Sequence, residues 1–237
     1  MDKLYIIIPA YNEEATIESI VDEWYPVVDK AGDGSRLVII DDGSRDATLE
    51  KLNKKAESAP KLIVKHKENS GHGPTVLFGY KYAIEEGADY VFQTDSDGQT
   101  DPDEFKAFWK NRADFDMLIG DRTGRQDGFS RIVVTRVLRL VILLTFHVWV
   151  KDANTPFRLM NCKTLKVKLK YIPDDYFLTN VLISVIYAKH DNSVRYIPIT
   201  FKPRQGGVNS INIKKIFNVG LKSLVEFVKL NRIISRS

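Results

Sequence analysis

Tyr90-Val91-Phe92-Gln93-Thr94-Asp95-Ser96-Asp97-Gly98-Gln99 passes from an apolar run straight into two carboxylates and an amide. The apolar part reads as a buried strand, and the polar part as the turn that leaves it. In an extended segment residues i and i+2 point the same way, so Asp95 and Asp97 are expected to converge. Two such carboxylates suit a hard divalent cation, with Gln99 as a third oxygen ligand. Mg²⁺ and Mn²⁺ share oxygen ligands of this kind with substrate phosphates. Held there, such an ion neutralises charge that grows on a departing diphosphate. Taken alone, Asp-x-Asp is more often a solvated turn with a helix cap than a metal site. The rest of the chain decides between the two.

Upstream, strand and helix patterns alternate. Leu4–Pro9 reads as a first strand, followed by a helix from Glu13 toward Val28 with Asn12 as its cap. Leu37–Ile40 reads as a second strand, with a helix over Asp46–Ser58 behind it, and Leu62–Val64 opens a third. Asn69–Pro74 is a loop, with Pro74 suited to the first turn of the next helix. Tyr90–Gln93 and Met117–Ile119 complete this half. The pattern predicts an α/β fold, a mostly parallel sheet with helices on both faces. Ligands of such sheets bind beyond the carboxyl ends of the strands. Those ends carry Pro9–Glu13, Asp41–Ser44 and Asp95–Gln99, so three polar clusters fall at three expected strand ends.

After Gly120 the pattern changes. Gly120–Ser130 is a polar, Gly-rich loop. Ile132–Val150 is apolar yet contains Arg136 and Arg139, charges that are costly inside hydrocarbon. It reads as a helix lying at an interface or packed on the domain, with Arg131, Thr135 and Arg139 on one face. A core helix with solvent-facing arginines is the other reading. Phe157–Met160 and Val194–Ile199 are expected strands, with a helix near Phe177–Ala188 between them. Ile211–Ile234 is a basic amphipathic pattern, either a membrane-surface helix or a helix docked on the domain. The expected organisation is residues 1–120 as a nucleotide- and metal-binding half, 121–210 as an acceptor half of the same domain, and 211–237 as the basic helix.

Composition narrows the class. Of 237 residues, 43% are hydrophobic and 28% charged, as in folded rather than disordered proteins. A net charge of +4 makes no demand for nucleic acid. One cysteine, Cys162, leaves no internal disulfide and fits a reducing compartment. The run Leu4–Ile8 is too short for a signal-peptide core. The first strand–helix turn lacks Gly-x-Gly-x-x-Gly, which argues against a dinucleotide oxidoreductase. The scattered histidines, His66, His72, His147 and His190, suggest no zinc site, and His72 reads as a solvated loop residue. Trp24, Trp109 and Trp149 read as packing residues, with Trp149 also suited to a membrane interface.

Taken in order, these motifs resemble the family 2 glycosyltransferases, and among them the polyprenyl-phosphate sugar transferases of the dolichyl-phosphate mannosyltransferase group. The resemblance covers nearly the whole chain and implies the Rossmann-like GT-A fold. Ile8-Pro9-Ala10-Tyr11-Asn12-Glu13 is similar to that family's first nucleotide contact, through Pro9, Tyr11 and Glu13. Ile40-Asp41-Asp42-Gly43-Ser44 is similar to its second, which implies a nucleoside contact at Asp42 beside Ile40. Asn69–Gly73 is similar to its Asn-x-Gly-x-Gly element. Asp95-Ser96-Asp97-Gly98-Gln99 matches its metal motif, which places Ser96 with the nucleotide and Asp97 at the reacting centre. Gly120-Asp121-Arg122 matches a Gly-x-Arg step in which Arg122 meets phosphate. Arg131 and Thr135 fall where the group places residues for the lipid phosphate. Asp152–Arg158 is similar to an Asp-x-x-x-Gly-Phe-Arg stretch, with Pro156 in place of the glycine. Arg204 and Gly207 match a late Arg-x-x-Gly-x-Ser-Lys element, but Ser210 stands where its lysine would be.

The resemblance implies an inverting, Mg²⁺- or Mn²⁺-dependent transfer of a hexose from a UDP- or GDP-sugar to a polyprenyl phosphate, undecaprenyl or dolichyl. It also implies a peripheral enzyme on the cytoplasmic face of a membrane, unless a membrane-anchored partner holds it there. A phosphate acceptor is already a nucleophile and needs no general base. A saccharide hydroxyl acceptor, as in polysaccharide or glycolipid synthesis, needs one, and Asp175 is the candidate. Asp174 beside it reads as the cap of the helix starting near Tyr176. A third reading is a catalytically silent nucleotide-binding, membrane-docking module.

Overall fold

The computed structural model describes residues 1–122, 129–202 and 226–234. Strands β1 (Leu4–Ala10), β2 (Arg36–Asp41), β3 (Leu62–His66), β4 (Tyr90–Gln93), β5 (Met117–Asp121), β6 (Arg158–Asn161) and β7 (Val194–Pro198) form one sheet in the order β3-β2-β1-β4-β6-β5-β7. Every neighbouring pair is parallel except those of β6, which runs antiparallel to both β4 and β5. The helices are α1 (Ile17–Ala31), α2 (Thr48–Ala56), α3 (His72–Glu85), α4 (Phe105–Lys110), α5 (Phe129–Phe146), α6 (Cys162–Lys168) and α7 (Thr179–Lys189). Residues 226–234 form a further helix, α8. The expected division at residue 120 falls inside β5, within this one sheet.

β1 is buried along its whole length. Its side chains alternate between two cores, as a pleated strand requires. Tyr5 and Ile7 meet Val38, Ile40, Leu77 and Tyr80 on the face that α3, α5 and α7 cover. Leu4, Ile6 and Ile8 meet Ile20, Trp24, Leu37 and Ile39 on the other. That second core is aromatic. The Phe92 ring lies 5.4 Å from Trp24, 4.8 Å from Phe105 and 4.6 Å from Phe157. Trp24 and Trp109 pack as expected, the latter stacked 5.9 Å from Phe105, whereas Trp149 is 62% exposed.

Several boundaries differ from the sequence reading. α1 starts at Ile17, and Asn12 does not cap it. Asn12 adopts φ 54°, and its Oδ1 accepts the Arg45 amide at 2.8 Å. A bond to another loop outcompetes the local cap. α7 starts at Thr179, and Asp174 pairs with Lys81 on α3 instead of capping it. The long apolar helix stops at Phe146, where His147 takes a left-handed φ of 58°. Of the expected loop Gly120–Ser130, residues 123–128 lie outside the described residues, as do 203–225 and 235–237 of the late motif and the basic tail.

Cys162 opens α6, buried, and burial pushes its thiol up to about 12. The thiolate is the reactive form, so this side chain is inert in the folded chain. Gly73 matters for a different reason. A Cβ there would sit 2.5 Å from the carbonyl oxygens of both Tyr176 and Phe177, so the first turn of α3 abuts the loop before α7. Gly73→Ala is expected to destabilise the fold by about 1–3 kcal/mol through overpacking against backbone. A urea midpoint equal to that of the parent would contradict this contact.

Candidate functional site

Because β1, β2 and β4 are parallel, their carboxyl ends emerge on one edge of the sheet, and the three polar clusters meet there. The Asn12 and Glu13 amides donate to Ser44 Oγ at 3.0 Å and Thr48 Oγ1 at 2.9 Å. Thr16 Oγ1 reaches the Ser96 carbonyl at 3.4 Å. Pro9 and Ile40 face each other in register inside the sheet and are buried. Tyr11 stands out, 42% exposed, and Glu13 is half-buried with Oε2 accepting from Thr16 Oγ1 at 3.2 Å.

Asp42 is buried, and both its oxygens are engaged. Oδ1 accepts from Lys67 Nζ and from the Ser70 amide at 3.0 Å, and Oδ2 accepts the Gly71 amide at 2.9 Å. Lys67 Nζ also donates to Ser70 Oγ and Thr75 Oγ1, and Asn69 Nδ2 donates to the Asp42 carbonyl at 2.8 Å. The residue expected to meet the nucleoside therefore also organises the whole 67–71 loop. Its neighbour Asp41 is fully buried and is held by His66 Nδ1 at 2.7 Å.

β4 ends at Gln93, so strand alternation does not carry through to Asp95 and Asp97. The chain bends instead, with Gly98 at φ 69° and the Gln99 amide donating to Asp97 Oδ1 at 3.2 Å. Asp95 and Asp97 are both half-buried, and Ser96 between them is buried. Gln99 Nε2 donates to the Lys202 carbonyl at 2.9 Å, tying this turn to the segment after β7. Asp95 Oδ1 accepts from His72 Nε2 at 3.0 Å and from Gln93 Nε2 at 3.3 Å. Burial pushes the Asp95 carboxyl up, but His72, Arg122 and the Gln93 bond outweigh it and leave it below the usual carboxylate range. His72 is conversely held above its ordinary value: burial works against the charged ring, and Asp95 overcomes it. His72 is exposed, as expected, with its side chain 49% accessible, and it is also the partner of a site carboxylate. Among the described residues no three or more His, Cys, Asp or Glu side chains gather into a closed cation cage. Two half-buried carboxylates on one turn suit the oxygen chemistry of a divalent ion that shares substrate phosphates.

Arg122 stands at the end of β5, and Asp152 clamps it at both Nε and Nη2, each bond 2.9 Å. The pair is nearly buried, with side-chain exposures of 8% and 10%, and Phe201 covers the guanidinium at 5.0 Å. Arg158, at the start of β6, is fully buried and caps carbonyls: Thr155 at 2.6 Å, Asn180 at 3.0 Å and Ala153 at 3.2 Å. Thr135 is half-buried on α5, and Arg131 lies four residues earlier with its side chain outside the described residues. Arg204 lies outside them as well. Asp175 is exposed and lines a cavity of about 310 Å³ with Tyr176, Phe177, Glu226, Lys229 and Leu230.

The sequence reading missed Gln93, Tyr80, Lys67 and the Arg122–Asp152 clamp. Gln93 carried a signal, since an amide at the last position of a strand buried on both faces must have a buried partner.

Comparison with known proteins adds the following. Residues 5–169 match the sequence profile of glycosyl transferase family 2. The UDP-N-acetylglucosamine–dolichyl-phosphate N-acetylglucosaminyltransferase of Methanococcus voltae is 27% identical over 84% of this chain and 85% of its own length. The undecaprenyl-phosphate 4-deoxy-4-formamido-L-arabinose transferase of Salmonella paratyphi B is 22% identical over 92% of this chain, which spans 65% of that relative. Among solved structures, Mycobacterium tuberculosis glucosyl-3-phosphoglycerate synthase with Mn²⁺, UDP-glucose and glycerol 3-phosphate superposes with TM-score 0.66 at 17% identity, over 97% of this chain and 80% of that one. Staphylococcus aureus TarS with UDP-GlcNAc gives 0.63 at 18% identity, over 95% and 66%. The fold is accordingly the GT-A fold of glycosyltransferases.

Asp42→Ala should free the Ser70 and Gly71 amides and raise their hydrogen exchange by about tenfold or more, the cost of a lost charged acceptor. Unchanged exchange would mean that the 67–71 loop is held by something other than Asp42.

Proposed function

We propose that this chain, which belongs to glycosyl transferase family 2, transfers a sugar from a nucleoside diphosphate to a polyprenyl phosphate at the cytoplasmic face of a membrane. The observation that carries this reading is the meeting of the Asp95–Asp97 turn with the Asp42 loop and the β1 turn on one sheet edge. On this reading Tyr11, Glu13 and Asp42 face the nucleoside, and the half-buried Asp95 and Asp97 lie toward the diphosphate end. Asp95 and Asp97 would hold Mg²⁺ or Mn²⁺, which when bound offsets the charge of the leaving diphosphate. Arg122 adds fixed positive charge near Asp95, and Nη1 is the nitrogen outside its clamp with Asp152. The bond from the anomeric carbon to the diphosphate breaks as a bond to an acceptor phosphate oxygen forms, a single in-line displacement that inverts the centre. A phosphate acceptor needs no base, so positioning and charge complementarity carry the rate.

The membrane side of the proposal rests on α5 and α8. Val137, Leu140 and Leu144 project from one side of α5 with exposures of 54%, 55% and 66%. Trp149 follows them, exposed, with the Arg139 guanidinium 5.2 Å from its ring. α8 packs on α5 through Phe227 against Phe146 at 5.2 Å and presents Val228, Lys229, Arg232 and Ile233 outward. Among the described residues no helix is long and apolar enough to cross a bilayer. Exposed aliphatic groups, an interfacial tryptophan and basic neighbours suit a surface of anionic lipid.

A second reading takes Asp175 as base toward a hydroxyl acceptor; Asp175 stands at a cavity whose lining includes none of the residues of the Asp42 and Asp95 clusters. The two readings separate in one assay. UDP- and GDP-sugars carrying label, polyprenyl phosphate and Mn²⁺ should yield an organic-extractable, mild-acid-labile product. Asp97→Asn should lower turnover by about a hundredfold or more, and Asp175→Asn should change it little. Loss of activity in Asp175→Asn would favour the hydroxyl acceptor, and absence of transfer to any acceptor, with nucleotide still bound, would favour a silent module. For the membrane face, the chain should float with phosphatidylglycerol vesicles and less with phosphatidylcholine. Leu140→Glu with Leu144→Glu should abolish flotation, and unaltered flotation would exclude this face.

A further inference from the structure

We infer that Tyr80 and Gln93 from the interior and His72 from the surface form a hydrogen-bonded cradle that fixes one oxygen of Asp95 and thereby sets the cation affinity of the other. The inference rests on the proposal above that Asp95 is a cation ligand. Its own grounds are geometric. Tyr80 and Gln93 are both fully buried, and the Tyr80 hydroxyl donates to Gln93 Oε1 at 3.0 Å. That bond orients the amide so that Nε2 points to Asp95 Oδ1, 3.3 Å away. His72 Nε2 donates to the same Oδ1 at 3.0 Å. An amide turned the opposite way would set Gln93 Oε1 against the carboxylate, which like partial charges forbid.

One helix carries both ends of the cradle. His72 is the first residue of α3, and Tyr80 lies two turns on. Gly79 beside it packs so tightly on Ile7 and Ile40 that a Cβ would overlap both side chains. The close approach of α3 to β1 and β2 brings the Tyr80 hydroxyl to the end of β4. With two donors fixed on Oδ1, the carboxylate is held in one rotation, and Oδ2 is the oxygen outside the cradle. Outer-shell bonds of this type change metal affinity by about 10–100-fold when removed.

The test is Mn²⁺ binding to the full chain, with the metal alone as the probe, followed by water-proton relaxation. Gln93→Met and His72→Ala should each weaken binding about tenfold. Tyr80→Phe, nearly isosteric, should weaken it less, because it only frees the amide to rotate. His72→Gln, which keeps a donor, should restore most of the affinity lost in His72→Ala. Urea midpoints report folding separately, and a purely structural role would lower them without moving Mn²⁺ affinity. If Gln93→Met fails to fold, Tyr80→Phe and the His72 pair decide. Binding lost in Asp95→Asn but kept in the cradle variants overturns the cradle and leaves the cation site standing. Binding equal in the parent and Asp95→Asn overturns the cation site, and the cradle with it.

Discussion

A parallel strand buried on both faces tolerates no unpaired charge along its length, because desolvating an ion costs more than the neighbouring apolar contacts return. β1, β2 and β4 obey this constraint, and each brings its first carboxylate at or just past the end of the strand: Glu13, Asp41 with Asp42, and Asp95. Parallel pairing then gathers these ends on one edge. The site is therefore a product of the same burial that stabilises the sheet. Its finer positioning comes from α3, which Gly79 lets settle against Ile7 and Ile40.

Charge at that edge is paired before any ligand arrives. Asp42 is bound to Lys67 and two amides, Asp95 to His72, and Arg122 to Asp152. The Arg122–Asp152 pair is nearly buried. Removing one partner of such a pair costs about 3–5 kcal/mol, whereas an exposed ion pair contributes at most about 1 kcal/mol. Arg122 is thus a girder between β5 and the 152–155 turn, in addition to its proposed contact with phosphate. A substrate phosphate would gain from it by sharing the guanidinium, not by pulling it from its carboxylate.

Much of the architecture was legible in the residues because continuous apolar runs mark buried parallel strands. β1, β2 and β4 begin and end within a residue or so of Leu4–Pro9, Leu37–Ile40 and Tyr90–Gln93. The three polar clusters do meet, as the strand ends implied. What escaped notice depends on partners remote in sequence. Asn12 looked like a cap but serves Arg45, Asp174 looked like a cap but pairs with Lys81, and His72, solvated as it looked, also holds Asp95. No local spacing reveals those choices, since competing hydrogen bonds differ only by which loop happens to lie alongside. The bend after Gln93 is of the same kind: Asp97 accepts the amide of Gln99, and strand alternation ends with the strand.

The antiparallel strand β6 has one more effect. By running against its neighbours it starts where they finish, and Arg158, its first residue, lies in register with Gln93. This guanidinium is sealed from solvent and bonded to the neutral carbonyls of Thr155, Asn180 and Ala153. Mobile ions weaken surface fields within about 10 Å at 0.1 M ionic strength but weaken buried ones far less. The hold of this buried cation on its carbonyls should therefore persist in brine that silences the lysines outside.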